Sequence, residues 1–119
     1  MNIRSKVKEN FLIARVQGEL DVDSVPHFRQ KIETRLDKRG VDHLVLDLGE
    51  VNFIDSTGVG VLLGRYRNIK SREGKMILVN LNSHIERVLR LAGLINLVDV
   101  YDSEKDFFRQ KKGGDYLVQ

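Results

Sequence analysis

The sequence contains no cysteine and no tryptophan, and it has a single proline in 119 residues. Because there is no cysteine, disulfides, thiolate catalysis and cysteine-ligated metal sites are excluded. Long apolar runs are also missing, and stretches such as 59–63 extend over only a few residues. A transmembrane helix needs about 20 apolar residues, and the first residues lead straight into a predicted strand rather than a secretion signal. We therefore expect a cytoplasmic protein with no membrane partner.

The sequence also lacks the charge excess that is typical of nucleic-acid-binding proteins. Its 20 lysines and arginines nearly balance its 17 aspartates and glutamates, which leaves a net charge of +3. Most basic residues stand beside acidic ones, and the two loose basic clusters lie at 65–72 and 109–112. Nucleic-acid binders usually combine a basic stripe with a groove-reading or stacking motif, and neither cluster carries one. We expect no direct contact with nucleic acid.

Strand and helix patterns alternate regularly along a chain that has the length of one domain. Two closely spaced runs at the start are typical of an antiparallel hairpin, and the later strand–helix repeats imply parallel strands with right-handed crossovers. We predict an α/β fold in which residues 1–112 form a single domain, with a mixed, mostly parallel sheet of about five strands and about four helices on one face or both. Residues 113–119 are expected to form a flexible tail. The predicted strands are 3–7, 11–17, 44–48, 76–79 and 97–101. The first predicted helix follows Asp23 or Ser24 and ends at Gly40, and the other predicted helices are 56–72, 83–92 and 103–112.

Residues that cap helices precede three of the predicted helices. Asp23 or Ser24 stands before the first helix, and Asp55 stands before the second. Ser83, with Glu86 three residues later, has the form of a capping box at the start of the third. These residues lie in or beside three connections, 18–23, 49–55 and 81–83. We expect the three connections to share one edge of the domain, beyond the carboxyl ends of the parallel strands, where such folds carry their functional groups.

The most unusual stretch is residues 53–60. With Asp55 as the N-cap, Ser56 takes the first helical position, where its hydroxyl points outward among unpaired backbone N–H groups. Gly58, Gly60 and Gly64 each cost the helix about 1 kcal/mol relative to alanine, so we expect another group to approach the backbone closely there. A capped helix that packs tightly on its sheet, without any chemistry, explains the pattern equally well.

The run Phe-Ile-Asp-Ser-Thr-Gly-Val-Gly at 53–60 resembles the signature of bacterial anti-sigma factor antagonists, which are small domains of the STAS family. Two further segments support the resemblance: Gly-Glu-Leu-Asp at 18–21 is similar to a family turn, and Leu-Ala-Gly-Leu at 91–94 is similar to the usual end of the third helix. The likeness covers nearly the whole chain, and it is greatest for the sporulation type that acts in the sigma F pathway. The residues that follow the turn at 18–21 vary among relatives, which leaves the choice of partner open.

The resemblance implies a single STAS-type domain that works as a switch. The unphosphorylated form binds an anti-sigma factor that is also a serine kinase of the GHKL type, and the sigma factor is released. Phosphorylation of Ser56 by that kinase ends the binding, and a serine phosphatase reverses it. Thr57 is an alternative acceptor, because many relatives carry serine there. The partner-binding residues implied in this way are Asp21, Asp23, Asp55, Ser56, Thr57, Gly58 and Gly60.

Two other classes of function can be compared with this one. An enzyme would need a base for Ser56, but the sequence has no Gly-x-Ser-x-Gly motif and nothing places any of its three histidines beside that residue. The phosphate-binding loop of nucleotide-binding proteins is absent, and so is a cluster of metal ligands. We therefore expect neither catalysis nor a cofactor. The remaining alternative is a STAS interaction module of another stress or signalling pathway.

Overall fold

The computed structural model describes residues 1–113, with the side chains of residues 1–111. The predicted tail, residues 113–119, therefore lies outside the described residues except for Gly113, which ends the last helix. The strands are β1 (Asn2–Lys8), β2 (Phe11–Leu20), β3 (His43–Ile54), β4 (Met76–Val79) and β5 (Asp99–Tyr101). The helices are α1 (Val25–Leu36), α2 (Ser56–Ser71), α3 (Ser83–Leu91) and α4 (Glu104–Gly113), with a short 3-10 turn at Leu94–Asn96.

The five strands form one sheet in the order β1-β2-β3-β4-β5. β1 and β2 are antiparallel, and the other three neighbouring pairs are parallel. The predicted fold class, a mixed and mostly parallel sheet of five strands with four helices, is confirmed. Each parallel strand is followed by a helix that carries the chain back, so the carboxyl ends of β2, β3 and β4 point the same way.

Helices cover both faces of the sheet. Leu12, Ala14 and Leu46 point into the larger core, which also contains apolar residues of α1, α2 and α3. Ile13 and Val45 point the other way, into a smaller core that contains two phenylalanines of α4. The residues alternate because successive side chains of a strand face opposite sides. The arrangement is therefore three helices on one face and one helix on the other.

The strands β2 and β3 extend further at their carboxyl ends than the sequence patterns indicate. β2 was expected to end at residue 17 and β3 at residue 48, but they remain paired as far as Leu20 and Ile54. Register shifts between Arg15 and Gln17 and between Gly18 and Glu19 interrupt the apolar alternation that reveals a strand. The expected connection 49–55 is therefore wrong, because only Asp55 separates β3 from α2.

Two of the expected helix caps are also wrong. Asn82, not Ser83, is the N-cap of α3, and its side-chain oxygen accepts a hydrogen bond from the Ile85 N–H at 2.9 Å. Ser24 occupies the N-cap position of α1 but its side chain does not cap the helix. Its hydroxyl instead donates to the Glu19 carbonyl oxygen at 2.7 Å, because the long β2 brings that carbonyl within reach.

Candidate functional site

Ser56 is the first residue of α2, and its side chain is exposed to solvent. Asp55 precedes it in an extended conformation, with φ −103° and ψ −176°, and its Oδ1 accepts a hydrogen bond from the Gly58 N–H at 2.8 Å. The carboxylate thereby satisfies one of the backbone donors that every helix leaves unpaired at its start. The predicted cap and the predicted position of Ser56 are both confirmed. Thr57, the alternative acceptor, is the next residue and is also exposed.

The second oxygen of Asp55 joins α2 to the loop between β2 and α1. Oδ2 accepts the Val22 N–H at 3.0 Å, and the Asp55 N–H donates to the Leu20 carbonyl oxygen at 3.3 Å. The hydrogen bonds to Val22 and Leu20 hold the start of α2 against the end of β2 and the loop that follows it. The expectation that residues 18–23 and Asp55 share an edge is confirmed.

The loop itself is stabilised by Asp21. Its Oδ1 accepts the N–H groups of Asp23, at 3.1 Å, and of Ser24, at 3.0 Å, which closes a tight turn. Asp21 is half-buried, whereas Asp23 is exposed. The two aspartates and Glu19 help to line an open cavity of about 510 Å³, which Met1 and His27 also line, so three carboxylates gather around the loop that is bound to Asp55.

The third expected connection lies further from Ser56. Asn82 Nδ2 donates to the Val51 carbonyl oxygen at 2.9 Å, which fastens the start of α3 to β3 three residues before that strand ends. No hydrogen bond among residues 1–113 joins this connection to Ser56 or Asp55. The site therefore consists of two connections rather than three.

The glycines of α2 do not share one explanation. Gly58 is buried, and a Cβ atom there would stand 2.2 Å from the Leu20 carbonyl oxygen and 2.8 Å from Ile54 Cγ1. Around Gly60 and Gly64 a Cβ atom would meet nothing within 4 Å. The close approach that the sequence predicts is therefore found at Gly58 only. Gly60 is exposed on the same face of α2 as Ser56, one turn further along.

Two exposed apolar residues, neither of which is among the expected partner-binding residues, flank the site. Val22 is 61% exposed and Phe53 is 43% exposed, although large apolar side chains on a domain of this size are mostly buried. Val22 is tied to Asp55, and Phe53 lies two residues before it on β3. The position of Val22 between two aspartates was a usable signal. Phe53 belongs to the motif at 53–60, but its exposure was not indicated, since its strand was expected to end earlier.

A catalytic arrangement around Ser56 is not found in the described part of the chain. His43 begins β3, at the opposite end from Ile54, and none of the hydrogen bonds of residues 1–113 joins a histidine to Ser56. Burial lowers the pKa of His43, and its Nδ1 accepts the Lys75 N–H at 3.0 Å. Residues 1–113 contain no group of three or more potential metal ligands. None of the helices described is both long and apolar enough to cross a bilayer.

The family follows from a comparison of the whole chain with known proteins. The family model for the STAS domain matches residues 2–107, which include every element up to the first turns of α4. The chain belongs to the STAS family. The fold therefore corresponds to that of a known group of proteins.

The relatives of this STAS domain include antagonists from two pathways. It is 34% identical to an anti-sigma F factor antagonist of Paenibacillus polymyxa, over 87% of this chain and 91% of that protein. It is also 34% identical to an anti-sigma-B factor antagonist of Bacillus subtilis, over 84% of this chain and 90% of that protein. Among solved structures, the phosphorylated form of the Bacillus cell fate determinant SpoIIAA is 28% identical, with a TM-score of 0.71 over 91% of this chain and 98% of that one.

Proposed function

We propose that this STAS domain is an anti-sigma factor antagonist. In its unphosphorylated form it binds an anti-sigma factor that is also a serine kinase of the GHKL type, and the sigma factor is freed. Relatives named as antagonists of anti-sigma factors match most of the chain and support this function. The observation that carries the proposal is the exposed Ser56 at the first position of α2, directly after a capping aspartate.

We infer that Ser56 is the residue that the kinase modifies. A kinase must bring a hydroxyl to the γ-phosphate of its nucleotide, so the acceptor has to be accessible. Ser56 is exposed, and Asp55 fixes the backbone on which it stands through hydrogen bonds to Gly58 and Val22. A relative of this domain has been solved in a phosphorylated form, which is consistent with such a modification.

The surface around Ser56 suits a protein partner. Val22 and Phe53 provide apolar area of the kind that forms the centre of interfaces. Because Gly60 has no side chain and is exposed, a partner can come close to the backbone of α2 at this position, one turn after Ser56. The acidic cavity that includes Asp21 and Asp23 would match a lysine or arginine of the partner.

Phosphorylation would dismantle this interface without unfolding the domain. A phosphate adds about −1.5 to −2 charges, and at the first position of a helix it meets unpaired N–H groups and the positive end of the helix dipole. Asp55 cannot turn away from the new charge without losing its hydrogen bonds to Gly58 and Val22. A partner packed over Ser56 would have to desolvate the phosphate, at a cost of several kcal/mol, and every 1.4 kcal/mol, roughly, is a factor of ten in affinity. A serine phosphatase would restore binding.

A second serine of this chain provides a matched control for the test. Ser83 is the first residue of α3, is exposed, and follows a capping side chain, Asn82, just as Ser56 follows Asp55. We would incubate the domain with magnesium, ATP and purified GHKL-type kinases of a host with this gene, and locate the phosphate by mass spectrometry. The proposal expects incorporation at Ser56, loss of incorporation in Ser56→Ala, and unchanged incorporation in Ser83→Ala.

Binding measurements complete the test. Ser56→Ala should bind the kinase as tightly as the unmodified domain, whereas Ser56→Asp should bind at least tenfold more weakly, since about 1.4 kcal/mol of repulsion suffices. Equal affinities of the two variants would contradict the switch. Incorporation that persists in Ser56→Ala and disappears in Thr57→Val would show that Thr57 is the acceptor.

The pathway is a separate question, because the identities to the sigma F and sigma B antagonists are equal. We propose the sigma F pathway from the resemblance of the motifs, with a stress pathway as the alternative. Titration of the domain against the purified kinase of each pathway decides between them. A kinase of the stress pathway that binds more tightly than the sporulation kinase would favour the alternative.

A further inference from the structure

The face of the sheet that carries α4 contains a large open cavity far from the larger core. It has a volume of about 700 Å³, within the range of small-molecule sites. Strand residues form its floor, and the first turns of α4 form one wall. A smaller cavity of about 180 Å³ adjoins it, since Arg15 and Glu104 line both. Neither cavity includes a residue of the Ser56 site.

Positive charge is concentrated in these cavities, although the chain as a whole is nearly balanced. Four cations and two carboxylates line the larger cavity. Each carboxylate already has a partner, since Asp47 Oδ2 lies 3.4 Å from Arg15 Nε and Glu104 Oε1 lies 3.7 Å from Lys6 Nζ. The cations of the larger cavity are Lys8, Arg15, Lys105 and Arg109.

Two arginines face each other on adjacent strands at this place. Arg4 of β1 is directly opposite Arg15 of β2, and both line the smaller cavity. Like charges in directly opposed positions of an antiparallel pair destabilise a sheet. Among the ion pairs of the described residues, Asp47 offsets the charge of Arg15, and none offsets the charge of Arg4. An anion that lies between the arginines would remove the repulsion.

Asp47 also orients Arg15 towards the open space. Its Oδ1 accepts the Gly49 N–H at 2.9 Å and lies 3.4 Å from Asn80 Nδ2, so the carboxylate is fixed in a largely buried position. Asp47 Oδ2 lies 3.4 Å from Arg15 Nε, and the arginine side chain stays 51% exposed. The guanidinium is therefore accessible to a ligand, and its planar fork suits a phosphate.

We propose that this cavity binds a small molecule through a phosphate or diphosphate group, with Arg15 as the main contact and Lys8, Lys105 and Arg109 around it. Four cations around one cavity suit a compact anion, whereas a nucleic acid or a membrane surface is better served by an extended basic stripe. Binding of such an anion in this cavity would be a function separate from the binding of protein partners at Ser56.

The test is an NMR titration of the whole chain with sodium pyrophosphate, at an ionic strength held constant with sodium chloride. Saturable shifts of the Lys8, Arg15, Ser103 and Lys105 amides are expected. Arg15→Gln should weaken binding roughly tenfold, the effect of one charge-assisted hydrogen bond. Lys105→Gln, on an exposed position of α4 that does not endanger folding, should weaken it several-fold. Arg67→Gln removes an equal charge from the exposed face of α2 and should change nothing.

The other outcomes overturn the proposal. Shifts that do not saturate, or equal losses in Lys105→Gln and Arg67→Gln, would show only a general attraction of anions to a basic protein. Saturable shifts confined to the start of α2 would place the anion elsewhere. Sedimentation with phosphatidylglycerol vesicles that pyrophosphate does not displace would identify a membrane surface instead, and retention on single-stranded RNA without any response to pyrophosphate would identify a nucleic-acid surface.

Discussion

Gly58→Ala and Gly60→Ala should change the stability of the domain in opposite directions, although both replace a glycine in the same turn of α2. At Gly58 the new methyl group would lie 2.2 Å from the Leu20 carbonyl oxygen. That carbonyl also accepts the Asp55 N–H, so the strand and the helix cannot separate without weakening this hydrogen bond. At Gly60 the methyl group would meet nothing within 4 Å.

The magnitudes follow from two competing terms. Alanine favours a helix by about 1 kcal/mol over glycine at either position. Overpacking at Gly58 costs about 1–3 kcal/mol, and weakening of the Asp55 hydrogen bond adds about 1 kcal/mol. We therefore expect the free energy of unfolding to fall by about 2 kcal/mol in Gly58→Ala and to rise by about 1 kcal/mol in Gly60→Ala.

Urea unfolding followed by far-ultraviolet circular dichroism measures both changes, since the midpoint and the slope of the transition give the free energy. Gly64→Ala is a control in the same helix, because it also has open space around its Cβ position and should behave like Gly60→Ala. A Gly58→Ala variant as stable as the original chain would refute the close approach to Leu20. A destabilised Gly60→Ala variant would refute the open space assigned there.

Substitutions at three further positions test other parts of the structure. Asp55→Ala should lower the free energy of unfolding by about 2 kcal/mol, because a helix cap and the bond to Val22 are both lost; Asp55→Asn keeps one acceptor and should lose about half as much in the same urea assay. Protonation of the half-buried His43 is disfavoured in the folded state, which lowers its pKa, so stability should decrease as the pH falls through 6.5, the ordinary value at which the unfolded histidine gains its proton. His43→Gln should flatten this dependence in thermal unfolding at several pH values, and an unchanged slope would contradict the assignment. Glu73, two residues after the end of α2, has φ +62°, so Glu73→Gly should raise the melting temperature through a stabilisation of about 0.5 kcal/mol, and a lowered melting temperature would argue against that conformation.

The sequence predicts the order of elements well because most helices and strands have clear apolar periodicity. It fails where tertiary contacts override local pattern. The ends of β2 and β3 continue beyond their apolar runs, since each strand provides the other with backbone partners across two irregularities that hide the alternation. Asn82 displaces Ser83 as a cap because its amide can also reach the Val51 carbonyl.

In the candidate site too, features set by neighbours in sequence could be predicted, whereas features set by tertiary contacts could not. The position of Ser56 and the cap by Asp55 depend on neighbours in sequence, and both could be predicted from the motif. The bond from Asp55 to Val22 joins residues 33 positions apart, so no local pattern could reveal it. The role of Arg65 is another example. Its guanidinium lies 2.6 Å from Glu33 of α1 and is largely buried, which makes it a contact between helices rather than a soluble surface charge.

Gly60, like Gly64, has no explanation in the isolated domain, and of the two it is Gly60 that lies one turn from Ser56. It is exposed, it lies inside a helix, and its φ angle is one that any residue adopts, yet it costs about 1 kcal/mol relative to alanine. Gly58 has an internal reason for its lack of a side chain, so the two glycines cannot be explained together. If the kinase approaches α2 beside Ser56, a methyl group at position 60 would stand in its way while leaving the free domain more stable. Gly60→Ala should therefore combine a raised free energy of unfolding with weaker binding to the kinase and slower modification of Ser56. Retention of full affinity in that more stable variant would mean that the partner does not contact this face of the helix.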